Sequence, residues 1–338
     1  RHGHAFRLVD GVLDGGLKLP QSQGCVMTQV HRRPIKIDIA VCTYRRAELD
    51  QTLLSLAVLS IPTGAIVRII VADNDVAPSA RSRVDAMRSA VPFEIAYVHC
   101  PASNISIARN ACLDQASGDF LAFIDDDETA SEDWLTEMLI MADTTGADAV
   151  LGPVQAVYEN VAPAWMQRGD FHSTLPVWVA GEILTGYTCN VLLRRGAPCL
   201  AGRRFNVALG RSGGEDTEFF SHMHKAGGKI AYAEDALVYE PVPNKRATVS
   251  WLSKRRYRMG QTHGRMLLEA KGGFGRWCAI ALAGTKSAYC FVAAALLSAS
   301  PVKRHRYGLR GVMHAGVVSG LFGVREIEQY GNLEKAPQ

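Results

Sequence analysis

The sequence lacks a cysteine pattern that would indicate a structural metal or a disulfide framework. Its eight cysteines are spread over 338 residues without a CxxC pair or a regular interval. This spacing argues against a zinc ribbon and a disulfide-stapled secreted domain. We therefore expect reduced thiols in a cytoplasmic protein, most of them acting as small core side chains.

The sequence also has no apolar segment of signal-peptide length near its beginning. Residues 1–34 contain glycine, histidine and arginine without such a segment. We therefore do not expect export, and we assign residues 1–34 to an N-terminal extension.

A large excess of one charge sign is absent too, since the formal net charge is only +4. The distribution is uneven, however: acids gather at 125–133 and 215–218, whereas basic residues dominate from Lys245 onward, notably at 254–258 and 303–306. Nucleic acid, anionic lipid or a phosphorylated substrate would each explain the basic part. With 48% hydrophobic and 21% charged residues, the chain can bury a large core, in one domain with an appendage or in two.

What the sequence does contain is an alternation of strands and helices in its first half. Leucines at positions 49, 53, 56 and 59 recur at helical spacing, and residues 106–118 read as a second helix, capped by Ser106 and ended near Gly118. Such alternation predicts a parallel sheet with right-handed crossovers. The predicted strands lie in "IKIDIAVCTYRR" (35–46), "AIVRIIVADND" (65–75), "FEIAYVHC" (93–100) and "DFLAFIDDDE" (119–128).

Three of these strands end in polar clusters: "CTYRR", "ADND" and "DDDE". Parallel sheets bind ligands at the carboxyl ends of their strands, so the three clusters should line one crevice. In "DDDE" each carboxylate raises the repulsion on its neighbours, which suits either open water or a bound metal. A solvated acidic turn explains that segment equally well by itself, but the two further polar strand ends favour a site.

The second half predicts a strand at 147–159, a loop feeding a strand at 184–195, and a glycine-rich loop followed by a helix and a strand at 210–242. Acids in the first turn of that helix, Glu215 and Asp216, suit the helix dipole without any catalytic role. Its apolar side would carry Phe219, Phe220 and Met223.

The "TY" turn, "DND", "ARN", the Asp triplet and "GED" occur in an order that resembles the family 2 glycosyltransferases of GT-A fold, over about residues 35–265. The end of that stretch is similar, more narrowly, to bacterial succinoglycan-type exopolysaccharide glucosyltransferases. The resemblance implies an α/β, Rossmann-like, mostly parallel sheet flanked by helices. It places the catalytic domain at 35–270, divided into a nucleotide-sugar half (35–128) and an acceptor half (129–270), before a helical membrane-associating region at 271–338.

The resemblance also implies a donor site. In this family an Asp-x-Asp motif binds Mg²⁺ or Mn²⁺ against the diphosphate of a nucleotide sugar, which implicates Asp125 and Asp127, with Asp126 near the ribose. Tyr44 would lie against uracil, and Asp73 would accept its imide N–H. The remaining residues of the predicted donor site are Thr43, Arg45, Asp75 and Arg109, of which Arg109 would contact the diphosphate or, alternatively, form a surface salt bridge.

By the same match, Asp216 is the candidate general base, and Glu215 orients the acceptor or the loop. A base opposite the leaving diphosphate permits one in-line displacement, which inverts the anomeric centre. The family's Gln-x-x-Arg-Trp-like motif is replaced here by "RRYRMG", where Arg255 and Arg258 would clamp phosphate. The missing Gln and Trp favour transfer of a single sugar, and a solvated basic helix face is the alternative for the two arginines.

Residues 277–300 are long enough to span a bilayer but carry Lys286 at their middle. A single crossing would place Lys303, Arg304 and Arg306 outside, against the positive-inside bias. We therefore expect helices lying in the cytoplasmic leaflet of the bacterial inner membrane, peripheral or monotopic. The alternative is a soluble helical subdomain packed on the sheet.

Together these expectations describe a metal-dependent, inverting enzyme that transfers glucose from UDP-glucose to a polyprenyl-diphosphate-linked oligosaccharide, with no nucleic-acid partner. Two alternatives are a polyprenyl-phosphate glycosyltransferase and a catalytically silent nucleotide-sugar-binding subunit of an assembly complex. An ionised lipid phosphate needs no base, so activity after Asp216→Asn would favour the first alternative.

Overall fold

Four parallel strands and the helices between them build the first half of the protein. The computed structural model describes residues 33–159, 162–270 and 272–327, so most of the predicted N-terminal extension lies outside the described residues. The strands are β1 (Ile35–Thr43), β2 (Ala65–Asp73), β3 (Glu94–His99) and β4 (Phe120–Asp125), and the helices are α1 (Leu49–Ala57), α2 (Arg81–Met87) and α3 (Ile105–Gln115).

The apolar pattern of this half explains where it is buried. The last seven residues of β1 are all buried, as expected for a strand covered on both faces of a parallel sheet. The predicted leucine face of α1 is confirmed for Leu49, Leu53 and Leu56, which belong to the same core cluster as the β1 side chains. Leu59 belongs to that cluster too but lies just after the end of the helix.

The second half extends this sheet and adds two small ones. The added strands are β5 (Thr129–Ala130), β6 (Ala149–Leu151), β7 (Val154–Tyr158), β8 (Trp178–Val179), β9 (Glu182–Ile183), β10 (Asn190–Arg194), β11 (Ile230–Tyr232) and β12 (Val238–Val242), and the added helices are α4 (Trp134–Thr145), α5 (Ala164–Gly169) and α6 (Glu215–Lys225). The main sheet has the order β11-β6-β10-β4-β1-β2-β3, in which β10 is antiparallel to β4 and β6; β5-β12-β7 and β8-β9 form the other two sheets. Residues 219, 220 and 223 of α6 are buried as predicted.

The prediction of one strand over 147–159 is wrong. The segment forms β6 and β7, which belong to different sheets and are separated by Gly152 and Pro153. Proline cannot donate a ladder hydrogen bond. A Cβ atom on Gly152 would lie only 2.4 Å from the carbonyl oxygen of Ala236. The chain therefore crosses from one sheet to the other at a point where a continuous strand has no room.

The predicted ends of α3 are also corrected. Asn104, not Ser106, caps the helix: its side chain accepts from the amides of Ser106 and Ile107, at 3.1 and 3.4 Å. The helix ends at Gln115, before Gly118, because the amides of the next turn, including that of Gly118 at 2.7 Å, donate to Asp38.

Three long helices follow the sheets: α7 (Val249–Ala270), α8 (Gly273–Leu296) and α9 (Pro301–Leu321). Helices α7 and α9 meet along a stripe of glycines, which we call the glycine seam. A Cβ atom on any of these glycines would come within 2.0 to 2.3 Å of a carbonyl oxygen of the opposite helix. The two backbones therefore touch directly, as in small-xxx-small helix pairs. The seam consists of Gly260, Gly264, Gly316 and Gly320.

Helix α8 is the one helix among the described residues that is long and apolar enough to cross a membrane. Its most apolar window has a mean hydropathy of 1.5 and is only 17% buried. One face, which includes Ala279 and Ala283, packs on α9, whereas large side chains such as Leu282, Val292 and Leu296 are exposed. This exposure suits a membrane surface; the leaflet placement remains a prediction.

Candidate active site

The polar strand ends lie side by side at one edge of the main sheet. Strands β4, β1 and β2 are adjacent and parallel, with Thr43 in register with Asp73, and Cys42 in register with Asp125. The structure therefore brings the three polar clusters to a common crevice at the carboxyl ends of their strands.

Asp125 lies where several carboxylates interact. Burial raises its pKa to about 6, although the Arg109 guanidinium opposes the rise. Repulsion from Asp127, Glu240 and Asp216 raises the pKa of Asp125 further. The candidate base Asp216 therefore belongs to the same electrostatic neighbourhood as the acidic triplet.

Asp126 and Glu128 face inward. Burial and repulsion from Asp127 raise the pKa of Asp126 to about 7, and one of its oxygens accepts from the amide of Tyr44 at 3.3 Å. Burial also raises the pKa of Glu128, whose carboxyl group accepts from the amide of Asp125 at 2.9 Å. Glu128 thus closes the acidic turn, and Asp126 ties that turn to the end of β1.

Two arginines that we did not predict meet the rim of the acidic triplet. Arg46 lies 3.4 Å from Asp127 and 3.8 Å from Asp126. Arg246 lies 3.3 Å from Asp127 and also donates to Glu240 at 2.6 Å. Arg46 had a signal in the sequence, since it directly follows three predicted site residues, Thr43, Tyr44 and Arg45. Glu240 and Arg246 had none, because they come from β12 and the loop after it, far along the chain.

Asp125 and Asp127 fit a divalent cation. In the described ranges no three His, Cys, Asp or Glu side chains group as metal ligands. Mg²⁺, however, is commonly held by one or two carboxylates together with substrate phosphates and water, and Mn²⁺ favours the same oxygen ligands. Burial is the main cause of the raised pKa of Asp125, and repulsion from neighbouring carboxylates adds to it. Hard carboxylate oxygens that are held close together at a strand end are a suitable donor set for Mg²⁺ or Mn²⁺.

Glu215 is held in a buried ion pair with Arg109. The two residues are 4% and 7% exposed, and Nη1 of Arg109 donates to Oε1 of Glu215. Burial lowers the pKa of Arg109, but the attraction of Glu215, Asp125 and Asp216 outweighs it and raises the pKa overall. A surface salt bridge is therefore the wrong description of Arg109. Its predicted contact with the diphosphate remains a prediction.

Asp216 follows Glu215 in the first turn of α6 but is only half-buried. One of its carboxylate oxygens accepts from the amide of Thr217 at 2.6 Å. The preceding Gly213 and Gly214 both have φ of 89°, which favours glycine. A Cβ atom on Gly214 would lie 2.5 Å from the Thr262 side chain of α7. The loop that presents Asp216 is thus fixed against α7.

The turn after β1 carries Tyr44, which is half-buried. Arg45 lies with its guanidinium carbon 5.3 Å from the Tyr44 ring centroid, and its Nε donates to Asp75 at 2.9 Å. That hydrogen bond lowers the pKa of Asp75. Arg45 and Asp75 therefore link the ends of β1 and β2 and support the turn that carries Tyr44.

Asp73 is held by internal hydrogen bonds. It is fully buried, and its carboxylate accepts from the amides of Asp75 and Ala80 and from the hydroxyl of Tyr97, at 3.1, 2.8 and 2.7 Å. Asp73 thereby ties the end of β2 to the segment that precedes α2. Its predicted acceptance of the uracil imide N–H remains a prediction.

Arg255 and Arg258 both point into the protein rather than forming a solvated face. Arg258 donates to the carbonyl of Ser212 at 2.8 Å. Arg255 donates to the carbonyl of His172 at 3.3 Å and lies over the Trp251 ring. Burial raises the pKa of Glu240, and attraction by Arg255 opposes that rise, so Arg255 borders the acidic neighbourhood. Their predicted grip on phosphate remains a prediction.

The mixed, mostly parallel sheet and the acidic crevice at its strand ends define a glycosyltransferase of GT-A fold. The fold is shared with the mannosyltransferase PcManGT from Pyrobaculum calidifontis, solved in complex with GDP-Man and Mn²⁺ (TM-score 0.60, 17% identity, 87% of this chain and 89% of that chain). It is also shared with S. aureus TarS 1-349, solved with UDP-GlcNAc (TM-score 0.50, 15% identity, 89% and 98%).

The sequence comparisons identify a more specific group of proteins than the fold does. Residues 38–198 match the model of glycosyl transferase family 2. The chain is 62% identical over 300 residues to succinoglycan biosynthesis protein ExoM of Rhizobium meliloti (strain 1021), covering 89% of this chain and 97% of that protein. It is 25% identical over 249 residues to a glucosyl-dolichyl phosphate glucuronosyltransferase of Haloferax volcanii, covering 67% and 75%. The chain therefore belongs to glycosyltransferase family 2, which confirms the resemblance seen in its motifs.

Proposed function

We propose that this enzyme is an inverting, metal-dependent glycosyltransferase of exopolysaccharide biosynthesis. It transfers one hexose, glucose from UDP-glucose, in β-linkage to a polyprenyl-diphosphate-linked oligosaccharide. The observation that carries the proposal is that Asp216 and the acidic triplet lie in one electrostatic neighbourhood. The similarity to a succinoglycan biosynthesis protein over most of the chain supports the assignment to exopolysaccharide biosynthesis.

In this proposal the residues of the first half bind the donor. Asp125 and Asp127 hold Mg²⁺ or Mn²⁺, which supplies positive charge against the departing diphosphate. Arg46 and Arg246 hold Asp127 in place from the rim. Tyr44 lies at the crevice edge, where its ring can stack on the base.

The residues at the start of α6 act on the acceptor. Asp216 takes the proton of the attacking hydroxyl, because a half-buried carboxylate at a helix start remains accessible to substrate. Glu215 is bound to Arg109 and fixes the first turn of α6. A base on the face opposite the leaving group gives inversion, so an α-linked donor yields a β-linked product.

The acceptor requires access to a membrane, and we assign that contact to the exposed face of α8 on the cytoplasmic side. Exchanging Leu282 and Val292, which are 56% and 58% exposed, for serine should weaken binding to anionic vesicles at least roughly tenfold. Val157→Ser with Leu175→Ser, at exposed positions outside the C-terminal helices, is the matched control. Equal vesicle binding by both double variants would contradict the assignment.

The function is tested by offering radiolabelled UDP-sugars to purified enzyme with membranes that contain lipid-linked intermediates. We expect UDP-glucose to label an organic-extractable glycan, and Asp216→Asn to label it far less. Transfer only to polyprenyl phosphate, with full activity in Asp216→Asn, would instead favour a lipid-phosphate acceptor. Labelling by a different UDP-sugar would refute the assigned donor.

A further inference from the structure

A cavity of about 390 Å³ lies on the acceptor side of the protein. It opens between the start of α3, the loop before α6 and the end of the helical tail. Its polar lining includes Asn104, Arg211, Ser212, Arg265, Arg325 and Glu326. None of these residues belongs to the predicted donor site or to the pair at the start of α6.

The lining contains three guanidinium groups and one carboxylate. Arg265 is paired with Glu326 at 3.0 Å, Glu269 at 3.1 Å and Glu218 at 3.8 Å, so its charge is balanced within the protein, although its Nη2 is buried without a hydrogen-bond partner among the described residues. Arg211 is exposed, and no described carboxylate lies within ion-pair distance of it. Arg325 is exposed at the rim. A cavity with this lining favours an anion, above all a phosphate that planar guanidiniums can bind bidentately.

The cavity is close to the candidate base along the chain. Ser212 lines it, and four residues further on is Asp216. Four residues span at most about 14 Å, even when fully extended. The carbonyl of Ser212 accepts from Arg258 of α7, so the segment between the cavity and Asp216 is anchored. A short glycan can therefore connect a group in the cavity with a hydroxyl at Asp216.

Exposed apolar side chains lie at the end of α9, just before Arg325 in sequence, and at the start of α8. We call them the aromatic rim: Phe274, Trp277, Phe322 and Val324. These are 83, 61, 51 and 54% exposed. Val324 directly precedes Arg325, and the rings of Trp277 and Phe322 meet edge to face at 6.2 Å. Exposed aromatics beside a cationic cavity suit an amphiphile with an anionic head and an apolar chain.

We propose that this cavity binds the diphosphate of the lipid-linked acceptor. The isoprenoid chain lies on the aromatic rim, and the glycan runs along residues 212–216 to Asp216. The inference rests on the proposed function, because it specifies how that function's acceptor is held. It also separates the two phosphate sites of the reaction: the donor diphosphate at the acidic triplet, and the acceptor diphosphate at Arg211 and Arg325.

The test compares Arg211→Gln/Arg325→Gln with the control Lys303→Gln/Arg304→Gln, which removes the same charge from exposed positions at the opposite end of α9. The probe is farnesyl diphosphate, whose binding to the full-length protein is measured by calorimetry. We expect binding to weaken about tenfold or more in the cavity variant and little in the control. Equal affinity in both variants would overturn the proposal. This binding measurement does not depend on turnover, so it is separate from the test of the proposed function.

Two further measurements on the same variants identify what the cavity recognises. With lipid-linked acceptor, the cavity variant should show a raised KM and a nearly unchanged kcat. With the same glycan released from its carrier, both variants should match the wild type. An equal loss with the released glycan would overturn the proposal by showing damage to the chemistry. Phosphatidylglycerol vesicles should bind both variants alike, and a loss confined to the cavity variant, with farnesyl diphosphate binding intact, would identify a phospholipid site instead.

Discussion

Two groups of carboxylates meet in the crevice, and the protein neutralises them in different ways. Glu215 has an internal partner, since Arg109 is buried beside it. The acidic triplet is met at its rim by Arg46 and Arg246, 3.3 to 3.8 Å away, and Asp125 is also attracted by Arg109. Burial raises the pKa of Glu215 as it raises those of Asp125 and Asp126. The difference therefore lies in the partners: Glu215 has one direct partner that fixes it in the structure, whereas three neighbouring carboxylates share the arginines around the triplet.

Removing one carboxylate of the acidic triplet, which we propose as a metal ligand, should have the largest effect. We expect Asp127→Ala to raise the activation barrier for transfer by several kcal/mol, because the proposed cation loses a carboxylate. The transfer rate should then fall roughly 10³-fold or more. The fold should persist, since one repulsive charge is removed. Transfer assays and thermal melts, with Asp85→Ala at an exposed surface pair as control, measure both. Full wild-type activity in EDTA would contradict the metal assignment.

The proposed roles of Asp216 as base and Glu215 as support predict different losses. Asp216→Asn keeps size and most hydrogen bonds but cannot accept a proton, so kcat should fall by about 10² to 10⁴ while donor affinity stays nearly unchanged. Glu215→Gln should lose less kcat. Steady-state kinetics and donor binding on both variants provide the check. A larger kcat loss for Glu215→Gln would move the base by one residue.

The buried pair itself should matter for stability. Arg109→Met leaves the carboxylate of Glu215 buried and unpaired, so unfolding should become easier by about 3 to 5 kcal/mol. Adding Glu215→Leu should recover most of that loss. The exposed pair of Arg204 and Asp114 offers the comparison, and Arg204→Met should cost less than about 1 kcal/mol. Equal losses in urea denaturation would show that burial of the Arg109 pair is energetically unimportant.

The smallest expected effect concerns His172, which supports the loop carrying Arg246. Its Nε2 lies 3.0 Å from the carbonyl of Arg246, and its Nδ1 lies 3.0 Å from the hydroxyl of Tyr158. The carbonyl can only accept, so we assign the proton of the neutral ring to Nε2.

Burial lowers the pKa of His172 below its usual 6.5. The unfolded chain therefore binds this proton more readily, and the contribution of neutral His172 to stability is lost as the pH falls below about 6.5. In His172→Gln this part of the pH dependence should disappear. Urea midpoints from pH 7.5 down to 5 for both proteins measure it, and identical pH profiles would exclude the effect.

Much of the crevice was predictable because local pattern and topology act together there. Apolar runs identify β1, β2 and β4, and parallel pairing then places Thr43 and Asp125 at one edge. The direction of a side chain at a strand end is less predictable. Asp73 and Asp75 look alike in sequence, yet neighbours from β3 and the loop before α2 enclose Asp73 completely.

Contacts between residues that are far apart in the sequence also could not be predicted. Arg246 contacts Asp127 across 119 positions of sequence, and no periodicity connects them. Likewise, the break between β6 and β7 depends on Asn190, whose amide donates to the carbonyls of Pro153 and Ala236 at 2.9 Å each. That contact exists only once both sheets have formed.

The glycine seam has a consequence for how the sequence can drift over evolutionary time. Where two side chains are in contact, a larger residue at one position can be compensated by a smaller residue at the other. At the glycine seam, each added methyl group would contact a backbone carbonyl oxygen, which no substitution removes. A change at the seam can therefore be accommodated only by moving a whole helix. Helix α7 also holds the segment before Asp216 through Arg258. The close contact of α9 with α7 therefore constrains the same helix that anchors the loop of the candidate base.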